Sequence, residues 1–61
     1  MNNHKLRQLR EKAGLSQADL AEILGITQTA VSKWELGQGM PRVSMLPRIA
    51  KVLRCKVADF F

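Results

Sequence analysis

Only three residues, Gly25-Ile26-Thr27, separate two stretches of helical spacing, and both sides of that gap carry their own stop or start signals. Gly25 suits the left-handed position just past a helix end. The Thr27 hydroxyl can accept an orphan N–H of the following first turn. Ile26, immediately before that cap, can pack on Val31 one turn further on, a hydrophobic staple that fixes the angle at which the chain enters the helix. The preceding helix starts in the same way: Ser16 caps, Asp19 three residues later completes a capping box of the weaker Asp kind, and Leu15 staples to Leu20. Signals this dense predict two short helices meeting at a tight and fixed angle.

The rest of the chain divides into further short pieces. From about Asn3 to Ala13 the apolar residues Leu6, Leu9 and Ala13 recur at i, i+3 and i+7, with Asn2 or Asn3 as cap and Gly14 as stop. The second helix buries Leu20, Ala21 and Leu24, and the third ends at Gly37. A loop from Gln38 to Val43 follows, loosened by Gly39 and stiffened by Pro41. Ser44 can then cap a fourth helix whose first turn tolerates Pro47, because an N–H there has no intrahelical partner. Its buried face reads Leu46, Ile49, Ala50 and Leu53, and Val57 to Phe61 is long enough for one or two more helical turns. No strand alternation, internal repeat or low-complexity run is present. The expected fold class is all-α, a compact domain of five short helices over residues 1–61, with a helix–turn–helix at helices 2 and 3 (residues 17–36).

Sixty-one residues form a single small domain. Such a chain buries only about 60% of its unfolded surface, which excludes most enzyme architectures. Ten Lys and Arg against five Asp and Glu leave a net charge of +5, which in so small a body points to a polyanionic partner, nucleic acid or an anionic membrane surface. A membrane-surface peptide is disfavoured because the apolar residues are split among glycine-stopped helices. One cysteine, Cys55, can form neither an internal disulfide nor a metal site with a second thiol, and points to a reducing cytoplasm. Met1 to Lys5 is polar and no apolar stretch follows, so neither a signal peptide nor a membrane span is expected. His4, the sole histidine, falls in a region expected to fray. No glycine-rich phosphate loop, triad or pair of carboxylates stands out. No enzymatic activity, cofactor, metal or small-molecule effector is expected.

The third helix carries the feature that folding does not explain. On a helical wheel Gln28, Thr29, Ser32, Lys33 and Leu36 share one arc of about 140°, while Ala30, Val31, Trp34 and Glu35 fill the opposite one. The second set anchors the helix in the core. The first offers an amide, two hydroxyls and an ammonium, groups suited to base edges in a major groove: Gln pairs with adenine N6/N7 and Lys reaches guanine O6/N7.

At this point the chain resembles the lambda-repressor-like family, the phage repressor and Cro type. The residues that carry the resemblance are Ala21 where the two helices touch, Gly25 in the turn, Ile26 after it, and Val31 and Trp34 beneath the third helix. Around them stand Gly14-Leu15-Ser16-Gln17, Val31-Ser32-Lys33-Trp34-Glu35, and Leu46…Ile49-Ala50…Leu53, a match running from about Leu6 to Phe60. Three positions depart from the pattern: Arg54 stands where the family usually has Gly, Lys56 replaces the usual small cap before helix 5, and Leu36 falls where a polar residue is common.

The resemblance implies a sequence-specific DNA-binding transcriptional regulator, a repressor acting as a homodimer on a palindromic operator, bacterial or phage in origin and cytoplasmic at the nucleoid. Its third helix would enter the major groove while the second crosses the backbone. The implied base contacts are Gln28, Thr29, Ser32 and Lys33, and the implied phosphate contacts are Gln17, Thr27, Arg42 and Arg10. Arg10 and Glu35 match an ion pair of some members, which is physically reasonable because a lone carboxylate on the inward arc would be costly. In the loop after helix 3, N–H groups of Met40 and Val43 can assist Arg42. Arg48, Lys51 and Arg54 share a face of helix 4. Val57, Phe60 and Phe61, on one side at i, i+3 and i+4, are the expected dimer contact, with Phe61 the more exposed aromatic. The alternative is a protein-interaction module of the same fold, of the antitoxin kind, for which the exposed arc of helix 3 should be apolar; only Leu36 is.

Overall fold

Asn2 opens the first helix, α1 (Asn3–Lys12), by accepting the Lys5 N–H at 3.0 Å on its side-chain oxygen. At α2 (Gln17–Leu24) the capping box closes in both directions: Ser16 Oγ accepts from Asp19 N–H at 3.0 Å, and Asp19 Oδ2 accepts from Ser16 N–H at 2.9 Å. Thr27 Oγ1 accepts from Ala30 N–H at 3.2 Å and starts α3 (Gln28–Glu35). These elements belong to a computed structural model that describes all 61 residues and contains, after α3, a 3₁₀ turn Val43–Met45, α4 (Leu46–Leu53) and a last 3₁₀ turn Val57–Asp59.

All four helices end alike. The N–H one residue past the left-handed position returns to a carbonyl five residues back in the chain: Leu15 to Arg10 at 3.2 Å, Ile26 to Ala21 at 2.9 Å, Gln38 to Lys33 at 2.8 Å and Cys55 to Ala50 at 2.9 Å. Gly14, Gly25 and Gly37 supply the positive φ in the first three, at 76°, 70° and 75°. In α4 the position is held by Arg54, at φ 55° and ψ 47°. The departure from glycine therefore leaves the shape of the helix end intact and places a bulky residue in a costly conformation.

Two expectations are corrected. Ser44 does not cap α4; it is exposed within the 3₁₀ turn, where Met45 N–H reaches Arg42 O at 2.9 Å and Leu46 N–H reaches Val43 O. Backbone bonds already occupy the Met45 and Leu46 N–H groups and Pro47 has none, so the start of α4 is set without a serine cap. The fifth helix is also absent as an α-helix, so the domain has four. Lys56, at the cap position, has no oxygen to accept an N–H, and only the 3₁₀ turn Val57–Asp59 forms.

The core is one cluster drawn from every helix, with Leu6, Leu20, Val31, Ile49 and Phe60 fully enclosed. α3 packs chiefly on α2, where the small Ala21 allows close approach, and also on α1. Asn2 N–H donates to Phe60 O at 2.9 Å and joins the two ends of the domain. No helix is long and apolar enough to cross a membrane.

Candidate nucleic-acid interface

α3 is held from beneath and left open above. Val31 and Trp34 are buried, and Glu35 is 8% exposed with a fully engaged carboxylate. Arg10 Nε donates to Glu35 Oε2 at 2.6 Å and Arg10 Nη2 to Glu35 Oε1 at 3.0 Å, a two-pronged pair between α1 and α3. Arg10 Nη1 donates to Leu15 O at 2.7 Å, and Asn3 Nδ2 donates to the main-chain oxygen of Glu35 at 3.0 Å. No buried side-chain polar atom lacks a partner. Burial alone would raise the Glu35 carboxyl, but hydrogen bonds from Arg10 and Gln17 and the nearby positive charge more than offset it and hold it below the usual carboxylate range. The hydrogen bonds to Glu35 raise Arg10 in turn, against the opposing effect of burial.

On the outer side Gln28, Thr29 and Lys33 are exposed and Ser32 is half-buried. Together with Gln17, Leu36 and Gln38 they line one shallow groove of about 380 Å³. The four side chains expected to meet bases therefore share one surface. Gln38 was not anticipated there. Gly37 turns the chain so that Gln38 N–H caps Lys33, which sets its side chain beside the outer arc. Leu36, 65% exposed, is the one apolar side chain in the lining.

The four expected phosphate contacts are placed differently from one another. Arg42 is exposed at the start of the 3₁₀ turn. Thr27 is exposed with its oxygen bonded to Ala30 N–H, which leaves the hydroxyl proton to donate outward. Gln17 lines the groove but is half-buried, and its Nε2 donates to Glu35 Oε1 at 3.0 Å. Arg10 lies beneath the surface, 8% exposed and occupied by Glu35 and Leu15, so it positions α3 and does not present a cation to a phosphate. Nothing in the α2 sequence distinguishes a glutamine that reaches inward to a carboxylate from one that points to solvent.

At the end of the chain Phe60 is fully buried, Val57 is half-buried and Phe61 is 60% exposed. Phe60 is thereby a core residue and is unavailable as a dimer contact. His4 is exposed, 3.3 Å from Gln8 Nε2, and no group of His, Cys, Asp and Glu is arranged to hold a metal. The Cys55 thiol is half-buried and is raised by burial and by the charge of Asp59.

Residues 6–60 match the helix-turn-helix family HTH_3. The HTH-type transcriptional activator BcrR of Enterococcus faecalis is 49% identical over 49 residues, which are 80% of this chain and 24% of that protein. The HTH-type transcriptional regulator PuuR of Escherichia coli is 35% identical over 57 residues, 93% of this chain and 31% of its own length. The chain thus spans about a quarter of the first of these relatives and just under a third of the second. Among solved structures, the restriction-modification controller protein C.AhdI from Aeromonas hydrophila superposes with a TM-score of 0.85 at 30% identity, covering 97% of this chain and 89% of that one.

Proposed function

The chain belongs to the XRE-like, lambda-repressor-type helix-turn-helix family, and from that premise we propose that it reads a palindromic DNA operator as a homodimer, with α3 in the major groove. The observation that carries this reading is the outer arc of α3, where Gln28, Thr29, Ser32 and Lys33 share one groove on a helix whose other side is locked into the core. Such an arc matches the donor and acceptor pattern of base edges, and the net charge of +5 supplies attraction to the backbone. Arg42 and Thr27 are the proposed phosphate contacts, with Gln17 at the rim. Phe61, beside the partly exposed Val57, is the proposed dimer contact, setting two copies of α3 about 34 Å apart on one face of the duplex. Bound across a promoter, the dimer blocks it, so repression at the bacterial or phage nucleoid is the expected outcome. The relatives are named transcriptional activator or transcriptional regulator, which supports a regulatory over a catalytic role.

Selection of bound duplexes from a random pool tests the reading. Enrichment of an inverted repeat with half-sites one helical turn apart supports it. A pool that stays random while the protein still binds overturns sequence-specific recognition.

A further inference from the structure

Away from α3, the C-terminal ends of α1, α2 and α4 border a second groove of about 470 Å³. Leu9, Leu15, Ile23 and Val52 supply apolar lining, and Lys12 and Arg54 are its only charged residues. Ile23 is 51% exposed, unusual for an isoleucine on a helix that buries its neighbours Leu20 and Leu24. Lys12 and Arg54 have no partner within the chain, since its ion pairs are Arg7 with Glu11 and Arg10 with Glu35. Arg54 also keeps a bulky side chain at the left-handed position that glycine fills in the three other helices. A groove lined largely by aliphatic residues, two unpaired cations and a locally unfavourable arginine coincide at one place.

We propose that this groove docks an acidic amphipathic helix of a protein partner, with aliphatic side chains in the cleft and carboxylates on Lys12 and Arg54. A helix laid in a groove uses apolar anchors at i, i+3, i+4 and i+7, and the rim fixes the sign of the flanking charge. Apart from Lys12 and Arg54 the lining is aliphatic and offers no neutral hydrogen-bonding side chain to read a base edge, and a concave surface is unsuited to a bilayer, which takes up protruding apolar faces. A second copy of this chain fits poorly. Its exposed Met40 and Val43 flank Arg42 and would bring like charges together, and Phe61 is a single ring and not a stripe. The two grooves share no residue, so the proposal stands independently of what α3 reads.

The test uses the full chain with labelled Ile, Leu and Val methyl groups and two synthetic four-turn peptides. One carries Leu at i, i+3, i+4 and i+7 with Glu elsewhere; the other has every Glu replaced by Lys. The Glu peptide should give saturable shifts at Leu9, Ile23 and Val52, with the Lys peptide weaker by about tenfold or more. Ile23→Glu should abolish the response, and Lys12→Glu with Arg54→Glu should reverse the preference, each variant first shown to keep its thermal midpoint near that of the parent chain or its dispersed methyl spectrum. The proposal is overturned if both peptides bind alike, if neither saturates, or if the shifts fall on α3. It is equally overturned if anionic vesicles, or self-association on concentrating the protein alone, produce the same shifts.

Discussion

Gln17 Nε2 donates to Glu35 Oε1 at 3.0 Å, the same oxygen that Arg10 Nη2 reaches at 3.0 Å, so one carboxylate ties α1, α2 and α3 together. Removing either charge leaves the other buried without its partner. Arg10→Ala and Glu35→Ala should each destabilise the domain by about 3–5 kcal/mol. The double variant should lose clearly less than the sum. Gln17→Ala should cost only about 1 kcal/mol, because Arg10 still satisfies the carboxylate. Urea midpoints of the four variants and the parent chain measure this cycle. Strict additivity would show that the pair is not coupled in solution.

Acid should weaken the domain through two carboxylates. Glu35 is held low because the Arg10 and Gln17 hydrogen bonds and nearby positive charge outweigh the opposing effect of burial. Asp19 is held low by its bonds to the Ser16 backbone and side chain. A carboxylate with a lower pKa folded than unfolded stabilises the fold fully above its unfolded value, near pH 4, and loses that contribution as pH falls through the folded value. Stability should therefore be flat in acid-side titrations down to about pH 5 and decline below it. Cys55 acts on the other side: its raised pKa favours the fold below the unfolded thiol value of about 8.5 and is lost as pH rises past it. Thermal midpoints across pH read both limbs. Glu35→Gln should be less stable at pH 7 and less sensitive to acid; an unchanged acid limb would assign the decline to other groups.

Arg54 and Gly25 occupy equivalent positions with opposite chemistry. Arg54→Gly should relieve about 1–2 kcal/mol of left-handed strain and return about 0.5–1 kcal/mol through greater freedom of the unfolded chain, a net gain of about 0.5–1 kcal/mol. Gly25→Ala should destabilise by about 1 kcal/mol. A Cβ there meets nothing within 4 Å, so the loss is backbone strain without a clash. Denaturant melts of both variants test the pairing. A destabilised Arg54→Gly would mean that the arginine side chain contributes packing larger than its strain.

What was legible in the sequence depended on distance along the chain. The caps at Ser16 and Thr27 and the turn at Gly25 are settled by residues within one helical turn, and they stand where local chemistry places them. The outer arc of α3 followed from periodicity, because the same wheel that buries Val31 and Trp34 must expose Gln28, Thr29 and Lys33. Ser44 has the chemistry of a cap, but residue type alone does not show that the backbone there forms a 3₁₀ turn ahead of Pro47. The last helix was over-read: apolar spacing at Val57, Phe60 and Phe61 describes a face, but the missing acceptor at Lys56 limits how much helix starts. Arg10 was read in two roles, and only tertiary burial separates them. The inward turn of Gln17 spans 18 positions and leaves no local mark.

Readout by α3 should be dominated by few side chains. Gln28→Ala should weaken binding to the selected operator by about 1–3 kcal/mol while leaving non-specific duplex almost unaffected. Arg42→Ala should behave in the opposite manner. It should weaken all sequences alike and flatten the log–log salt dependence by about one unit per subunit. Titrations at several salt concentrations on specific and random duplexes separate the two. Equal losses on both DNAs for Gln28→Ala would remove it from base recognition, and an unchanged slope would leave Arg42 in solvent.

Self-association should depend on Phe61 and not on Phe60. Phe60 is enclosed by the core, so Phe60→Ala should unfold or strongly destabilise the domain, by about 3–5 kcal/mol. Phe61 is 60% exposed, and its replacement by a charged residue leaves the core untouched. A symmetric contact built around one exposed ring per copy buries far less than the roughly 1,200–2,000 Å² of stable complexes, so dimerisation should be weak in solution and strengthened when both copies sit on one operator. Phe61→Glu should keep the parent thermal midpoint, remove concentration-dependent association in sedimentation equilibrium, and abolish cooperativity on a two-half-site duplex. It should bind a single half-site as well as the parent does, because its α3 surface is intact. If association and cooperativity both survive the substitution, the two copies meet elsewhere, and the segment around Pro41 to Met45, where Arg42, Val43 and Ser44 are exposed, becomes the place to substitute.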